Sequence, residues 1–251
     1  MINRDDYPYL YETHMHTSQA SKCARAAGRE MAEAAKAAGY AGVIITDHSW
    51  YGNNCIDSSL PWEQWVKAFS KGYEDAKNWG DENDFSVFFG YESNYNATEF
   101  LIYGVDPDWL IAHPQIKTAT IKEQYEMIHG EGGLVIHAHP FREAGYISEI
   151  RLFPEYVDGV ETVNATHSCH LSQSHNNPEF DVRARAYARE NHLPMTAGSD
   201  IHDTRLLGGG VAFKRKLKSV KDYCNAILTG EDYLLTNGDN WFDKNGSLIE
   251  V

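Results

Sequence analysis

No stretch of the 251-residue chain approaches the run of about 18 apolar residues that suggests a membrane-spanning helix. The opening, MINRDDYPYL, has no apolar core of a secretory signal. Cysteine is scarce. Cys23, Cys55, Cys169 and Cys224 are scattered, with no Cys-x-x-Cys pair, which offers neither a disulfide framework nor a zinc ribbon and suits a reducing compartment. Positive charge is short too. The formal net charge is −14, which argues against a nucleic-acid groove, because a phosphate backbone needs a clustered positive field. A small anionic substrate is still compatible, since a bound cation reverses the field locally. There is no internal repeat, low-complexity segment or obvious linker. The expectation is a cytoplasmic, soluble protein with no membrane partner, built as one domain over 1–251. Its oligomeric state is left open.

What the chain does have is alternation. Hydrophobic residues make up 42% of it, enough for a proper core. YPYLYET is rich in aromatics and reads as a first strand. GREMAEAAKAAGY has helical spacing and stops near Gly39. AGVIITDH is a β-branched run, so strand, helix and strand follow one another. PWEQWVKAFSKGYEDAKNW reads as a helix, DFSVFFGYE and EFLIYGVD as strands, and IKEQYEMIHGEGG as a helix with a glycine stop. LVIHAHP and VDGVETVN are further strands, and PEFDVRARAYARENH is a helix opening with Pro178 in its first turn. PMTAGSDIH closes this series. The segment 208–251 adds strand, helix and strand. The pattern predicts an α/β fold, most simply a barrel.

The β-prone runs share an ending. They stop at His14 and His16, at Asp47 and His48, at Glu92, at His137 and His139, and at Asp200 and His202. Along a strand, His14 and His16 point the same way, so the pair either holds one ion or simply packs. In barrels and open α/β sheets, functional residues gather at the carboxyl ends of the strands. Five such segments on one rim make a single cluster of imidazoles and carboxylates, a donor set that suits zinc, manganese or iron.

The order of these segments resembles the polymerase and histidinol phosphatase (PHP) family of metal-dependent phosphoesterases. The resemblance rests on THMHT with His14 and His16, ITDH, GYE with Glu92, HAHPFR, and GSDIH, and it runs from about His14 to His202. It implies a distorted (β/α)7 TIM-like barrel, its motif core at about 11–203, and two or three divalent ions. His14, His16, Glu92 and Asp200 would hold the first ion. Glu92 would bridge to a second, held also by His139. His48 and His202 would hold a third or bind the substrate phosphate. Two positions depart from the family. Ser21 and Lys22 stand where many members carry an Asp or His ligand of the third ion. The stretch ATEFLIYG offers Glu99 but no histidine for the second.

The remaining candidates are weighed singly. Arg142 follows HPF and is placed to fork onto phosphate oxygens or to form a rim salt bridge. His137, two residues before His139, is expected on the same face as a supporting partner or as a packed core residue. Asp47 is either an acceptor for a ligand histidine or a cap. Glu161 is a possible supporting carboxylate. His167, His170 and His175 lie in a polar loop on the site side. Cys23 and Cys169 read mainly as packing. The expected activity is hydrolysis of a small phosphate ester, with Asp200, His202 and Arg142 as catalytic residues. The alternatives are metal-dependent hydrolysis of another bond, such as an amide or lactone, and a metal-binding regulatory domain without turnover.

Overall fold

The computed structural model describes residues 2–250. The chain forms β1 (Tyr9–Met15), α1 (Gly28–Ala37), β2 (Gly42–Ile45), α2 (Trp62–Phe69), α3 (Lys71–Glu82), β3 (Ser86–Tyr95), β4 (Thr98–Tyr103) and α4 (Pro107–Ala112). It continues through α5 (Ile121–Gly130), β5 (Leu134–His137), β6 (Gly159–Asn164), α6 (Ala165–Ser168), α7 (Glu179–Glu190) and β7 (Met195–Gly198). The last elements are β8 (Gly209–Phe213), α8 (Val220–Leu228), β9 (Tyr233–Asn237), β10 (Trp241–Asp243) and β11 (Leu248–Ile249). No helix among the described residues is long and apolar enough to cross a membrane.

The strands form one mixed sheet in the order β11-β10-β9-β8-β1-β2-β3-β4-β5-β6-β7. Parallel pairing runs from β1 to β3 and again from β5 to β7. The sheet curls. Beyond β7, Ile201 bridges Met15 in parallel, and the His16 N–H donates to the Ile201 carbonyl at 2.9 Å. This contact returns the end of the series to its beginning, so the strand ends share one rim.

The expected βα alternation holds only in part. β4 is antiparallel to both β3 and β5. It is joined to β3 by a two-residue turn in which Asn96 and Ala97 have φ of 50° and 64°, the left-handed pair that matches the twist of a tight hairpin. β8 to β11 pair antiparallel and extend the sheet beyond β1. The helix expected over PWEQWVKAFSKGYEDAKNW is split at Ser70, whose hydroxyl donates to the Val66 carbonyl at 2.9 Å.

Alternation along β4 separates two cores. Leu101 and Tyr103 join the cluster that includes Tyr11, Ile136, Val160 and Val211. Phe100 and Ile102 face the other way, into a cluster with Trp65, Phe69 and Tyr91. α1 and α3 meet where both are glycine. A Cβ on Gly28 would lie 1.9 Å from the Gly72 carbonyl oxygen, and a Cβ on Gly72 would lie 1.9 Å from Thr17 Oγ1. Thr17 in turn donates its N–H and its hydroxyl to Asp47, both at 2.6 Å. The helix packing therefore sets the loop that leads from β1 into the site. Gly72→Ala is expected to destabilise the fold by about 2–3 kcal/mol, as overpacking at a rigid contact does, and urea unfolding followed by circular dichroism measures it.

Candidate metal centre

Every residue predicted as a ligand converges on one rim. Glu92, at the centre, is fully buried. Its Oε1 lies 3.1 Å from His139 Nε2 and 3.4 Å from His14 Nε2, while its Oε2 lies 2.7 Å from His48 Nδ1 and 3.6 Å from His16 Nε2. One carboxylate oxygen thus faces each half of the cluster, which is the placement of a bridging ligand. Asp200 Oδ1 lies 3.1 Å from His16 Nε2 and 3.4 Å from His14 Nε2. The His202 ring stacks on His16 at 4.4 Å and is the most exposed of the set, with 28% of its side chain accessible.

The local backbone explains the convergence. A register shift in β1 between Glu12 and Met15 falls at His14 and ahead of His16. His139 and Asp200 have φ of 28° and 56°, a left-handed backbone that costs energy and persists where its surroundings demand it. At His139 this backbone breaks the alternation of β5. His137 therefore does not share the face of His139, as the two-residue spacing suggests. It stacks on Phe100 at 5.0 Å in the other core, and burial lowers its pKa to about 3.

Hydrogen-bond partners fix which ring nitrogens face inward. Glu161 Oε1 is 2.9 Å from His14 Nδ1. A carboxylate only accepts, so Nδ1 carries the proton and Nε2 points to Glu92 and Asp200. Ser21 Oγ gives its one proton to Asp47 at 2.7 Å and accepts from the His48 N–H at 3.1 Å. It must then accept from His16 Nδ1, also at 3.1 Å, which again leaves Nε2 inward. The inward atoms, His14 Nε2, His16 Nε2, His48 Nδ1 and Glu92 Oε2, are buried without a hydrogen-bond partner. Buried polar atoms are rarely left so. Their chemistry, imidazole lone pairs beside carboxylate oxygens, fits divalent ions.

The electrostatics agree. Burial by itself would raise the Glu92 carboxyl, yet His48 and His14 hold it well below the usual range. Burial likewise opposes charge on Asp200, and Arg142 followed by His14 overrides it. At His14, burial is overcome by Glu161, Asp200 and Glu92, and the pKa is raised. His16 is buried beside His48 and His202 and stays well below the usual imidazole value.

The structure also gives the surroundings of the remaining candidates. Arg142 is buried and engaged. Its Nη1 donates to Asp200 Oδ2 at 2.6 Å, and its Nε donates to His167 Nε2 at 3.0 Å. It anchors Asp200, the salt-bridge alternative of its sequence reading. His167 passes the chain on to Asp181 at 2.8 Å. Asp47 is an acceptor for Thr17 and Ser21. Cys23 is not core packing. It lines the cavity over the site, within hydrogen-bonding reach of His202 and His48, and these outweigh burial to bring its thiol down to about 7. Lys22 is exposed. His170 is exposed and bonds Asp239 at 2.5 Å, away from the cluster, whereas His175 lines the cavity. Glu99 lies beside Glu92 and His139. Its signal in the sequence was a single carboxylate within a β-prone run.

Residues 179–231, from α7 to the turn after α8 and including Asp200 and His202, match the PHP-associated model PHP_C. Over that stretch, about a fifth of its length, the chain is similar to the PHP family. No curated protein matches it in sequence. Among solved structures it resembles a two-domain protein from Bacteroides vulgatus that contains a predicted PHP-like metal-dependent phosphoesterase, with a TM-score of 0.64 and 14% identity. That match covers 92% of this chain and 66% of the other, so the chain spans just under two thirds of that neighbour. A candidate metal-dependent phosphoesterase from Bifidobacterium adolescentis has a TM-score of 0.53 at 16% identity, covering 87% and 95% of the two chains. An amidohydrolase from Chromobacterium violaceum, with bound sulfate and no metal, has a TM-score of 0.53 at 14% identity, covering 77% and 87%. At these identities the likeness carries the fold.

Two outcomes are expected at this centre. Glu161→Gln, which weakens the hold on His14, should lower metal affinity about 10–100-fold, the usual effect of losing a partner of a ligand histidine. A chelator-competition titration reads this directly. His137→Phe, by contrast, should leave metal content unchanged in elemental mass spectrometry.

Proposed function

We propose that the chain hydrolyses a small phosphate ester in a metal-dependent reaction. The observation that carries this reading is the buried set of inward, unpartnered imidazole and carboxylate atoms, which adjoins through His48, His139, Asp200 and His202 a cavity of about 750 Å³. His14, His16, Glu92 and Asp200 would hold one ion, and Glu92 with His139 a second. His48 and His202 would hold a third or meet the substrate phosphate. Manganese, zinc or iron all suit these donors. Ions bound there supply Lewis-acid polarisation of a phosphoryl oxygen and a water acidic enough to act at neutral pH.

The chain's own residues do the positioning. Glu161 and Ser21 orient His14 and His16, and Arg142 holds Asp200. Arg25 and Arg205 line the same cavity as Arg142, so an anion entering it meets guanidinium groups in a protein that is acidic as a whole. His202 has Nδ1 tied to the Asp200 carbonyl at 2.8 Å, which leaves Nε2 to hold a proton for the leaving oxygen. We also propose that the curled sheet is a single-domain, distorted (β/α)7 TIM-like barrel whose β1–β7 series is closed at the Met15–Ile201 bridge.

A second reading, hydrolysis of an amide or lactone, draws on the engaged state of Arg142, which keeps that guanidinium from gripping phosphate. One experiment separates the readings. Protein purified without chelator or metal-affinity resin is assayed for metal content and, with added manganese, for turnover on phosphoesters, amides and lactones. Phosphoester turnover that is lost on chelation and in Asp200→Ala is the expected result. Turnover confined to amides or lactones selects the second reading. Bound metal with no turnover on any class overturns both and points to a binding domain.

A further inference from the structure

Glu99 sits on β4 directly across from Asn94 of β3. The tight β3–β4 hairpin places it on the same rim as Glu92. The Asn94 amide donates to Glu99 Oε1 at 2.9 Å, the one hydrogen bond of the Glu99 side chain among the described residues. The residue is 8% exposed. Its Oε2 lies 3.7 Å from His139 Nε2, and its Oε1 lies 3.9 Å from His48 Nδ1. The same two nitrogens face Glu92, at 3.1 and 2.7 Å. One ligand atom from each of His48, Glu92 and Glu99 lies within 4.8 Å of the others.

Two carboxylates and two imidazoles therefore surround one small volume. Like charges buried this close are costly unless a proton or a cation lies between them. His48 Nδ1 and Glu92 Oε2 are 2.7 Å apart, yet neither is aligned for a hydrogen bond. Their lone pairs are aimed at shared space instead of at each other. Glu99 also lines the cavity, so an ion held at this point would be open to substrate.

We propose that Glu99 is a carboxylate ligand, and that with Glu92, His48 and His139 it holds a divalent ion. This rests on the metal-hydrolase reading. It supplies from β4 the donor that the histidine-free stretch ATEFLIYG leaves wanting. A carboxylate in that place has two consequences. It adds one negative charge to the site, and it moves the donor set toward oxygen, which favours manganese relative to zinc.

The test uses the full chain as wild type, Glu99→Gln and Glu99→His. Glu99→Gln keeps an oxygen for the Asn94 amide and removes the charge. Each protein is dialysed to equilibrium against manganese or zinc, counted by elemental mass spectrometry, and checked for folding by circular dichroism. The expected result is that Glu99→Gln binds one manganese fewer than wild type, or binds it at least about tenfold more weakly. Glu99→His should recover the count with its preference moved toward zinc. Equal manganese count and affinity in wild type and folded Glu99→Gln would overturn the assignment and leave the rest of the metal centre standing. A wild type that binds neither metal would overturn the hydrolase reading itself, and this assignment with it.

Discussion

Buried negative charge at one rim of the sheet is the constraint around which this protein is built. The carboxylates of Glu12, Asp47, Glu92, Glu99, Glu161 and Asp200 are all buried there, and among the described residues Arg142 is the one guanidinium buried with them. Removing a carboxylate from water costs several kcal/mol unless it is paired or well hydrogen-bonded. Different members meet that cost differently. Glu12 accepts backbone N–H groups from His14 and Ser199 and is still raised by burial to about 7. Asp47, raised by burial to about 6, accepts from Thr17 and Ser21. Glu92 and Asp200 are left to histidines and Arg142, and their inward surroundings are those that a cation would complete.

The fold serves this cluster through rigid neighbours more than through the ligands themselves. Gly72 allows α3 to come close to Thr17. Thr17 holds Asp47, Asp47 takes the Ser21 proton, and Ser21 accepts from His16. A contact between two helices is thus tied through three side chains to the tautomer of a ligand. On the opposite side, Glu161 holds both the His14 ring and the His139 backbone, and Asn164 steadies it. Such chains lock a site into one arrangement because each hydroxyl or carboxylate has a limited set of bonds to give and accept.

Much of this was legible in the chain as written. Strand ends at Glu92, at Asp47-His48 and at Asp200-x-His202 were visible because β-branched and aromatic runs stop abruptly at polar residues. Other features were not. His137 and His139 look equivalent by spacing, and the left-handed backbone of His139 itself turns them to different faces. Arg142 reads equally as a phosphate fork or a salt bridge, and its partners Asp200 and His167 lie far along the chain. Cys23 resembles any isolated cysteine until the loop carrying it is pinned against His202, whose carbonyl accepts the Arg25 N–H at 2.8 Å. Glu99 stands out in the sequence only as the carboxylate of a histidine-free strand. Its meaning depends on β4 running antiparallel beside β3.

By itself, the sequence determined which residue types end the strands, that strands and helices alternate over most of the chain, and that the protein is acidic with no framework of paired cysteines. These properties are local, set by propensity, periodicity and composition. The tertiary structure alone decided which nitrogen of each histidine faces inward, which cation is already engaged, and that the β3–β4 hairpin brings a second carboxylate to Glu92. Those are matters of long-range pairing and of who accepts whose proton, and no local pattern encodes a partner that lies 50 or 150 residues away, as at roughly these separations Glu92 lies from His139 and His14 from Glu161.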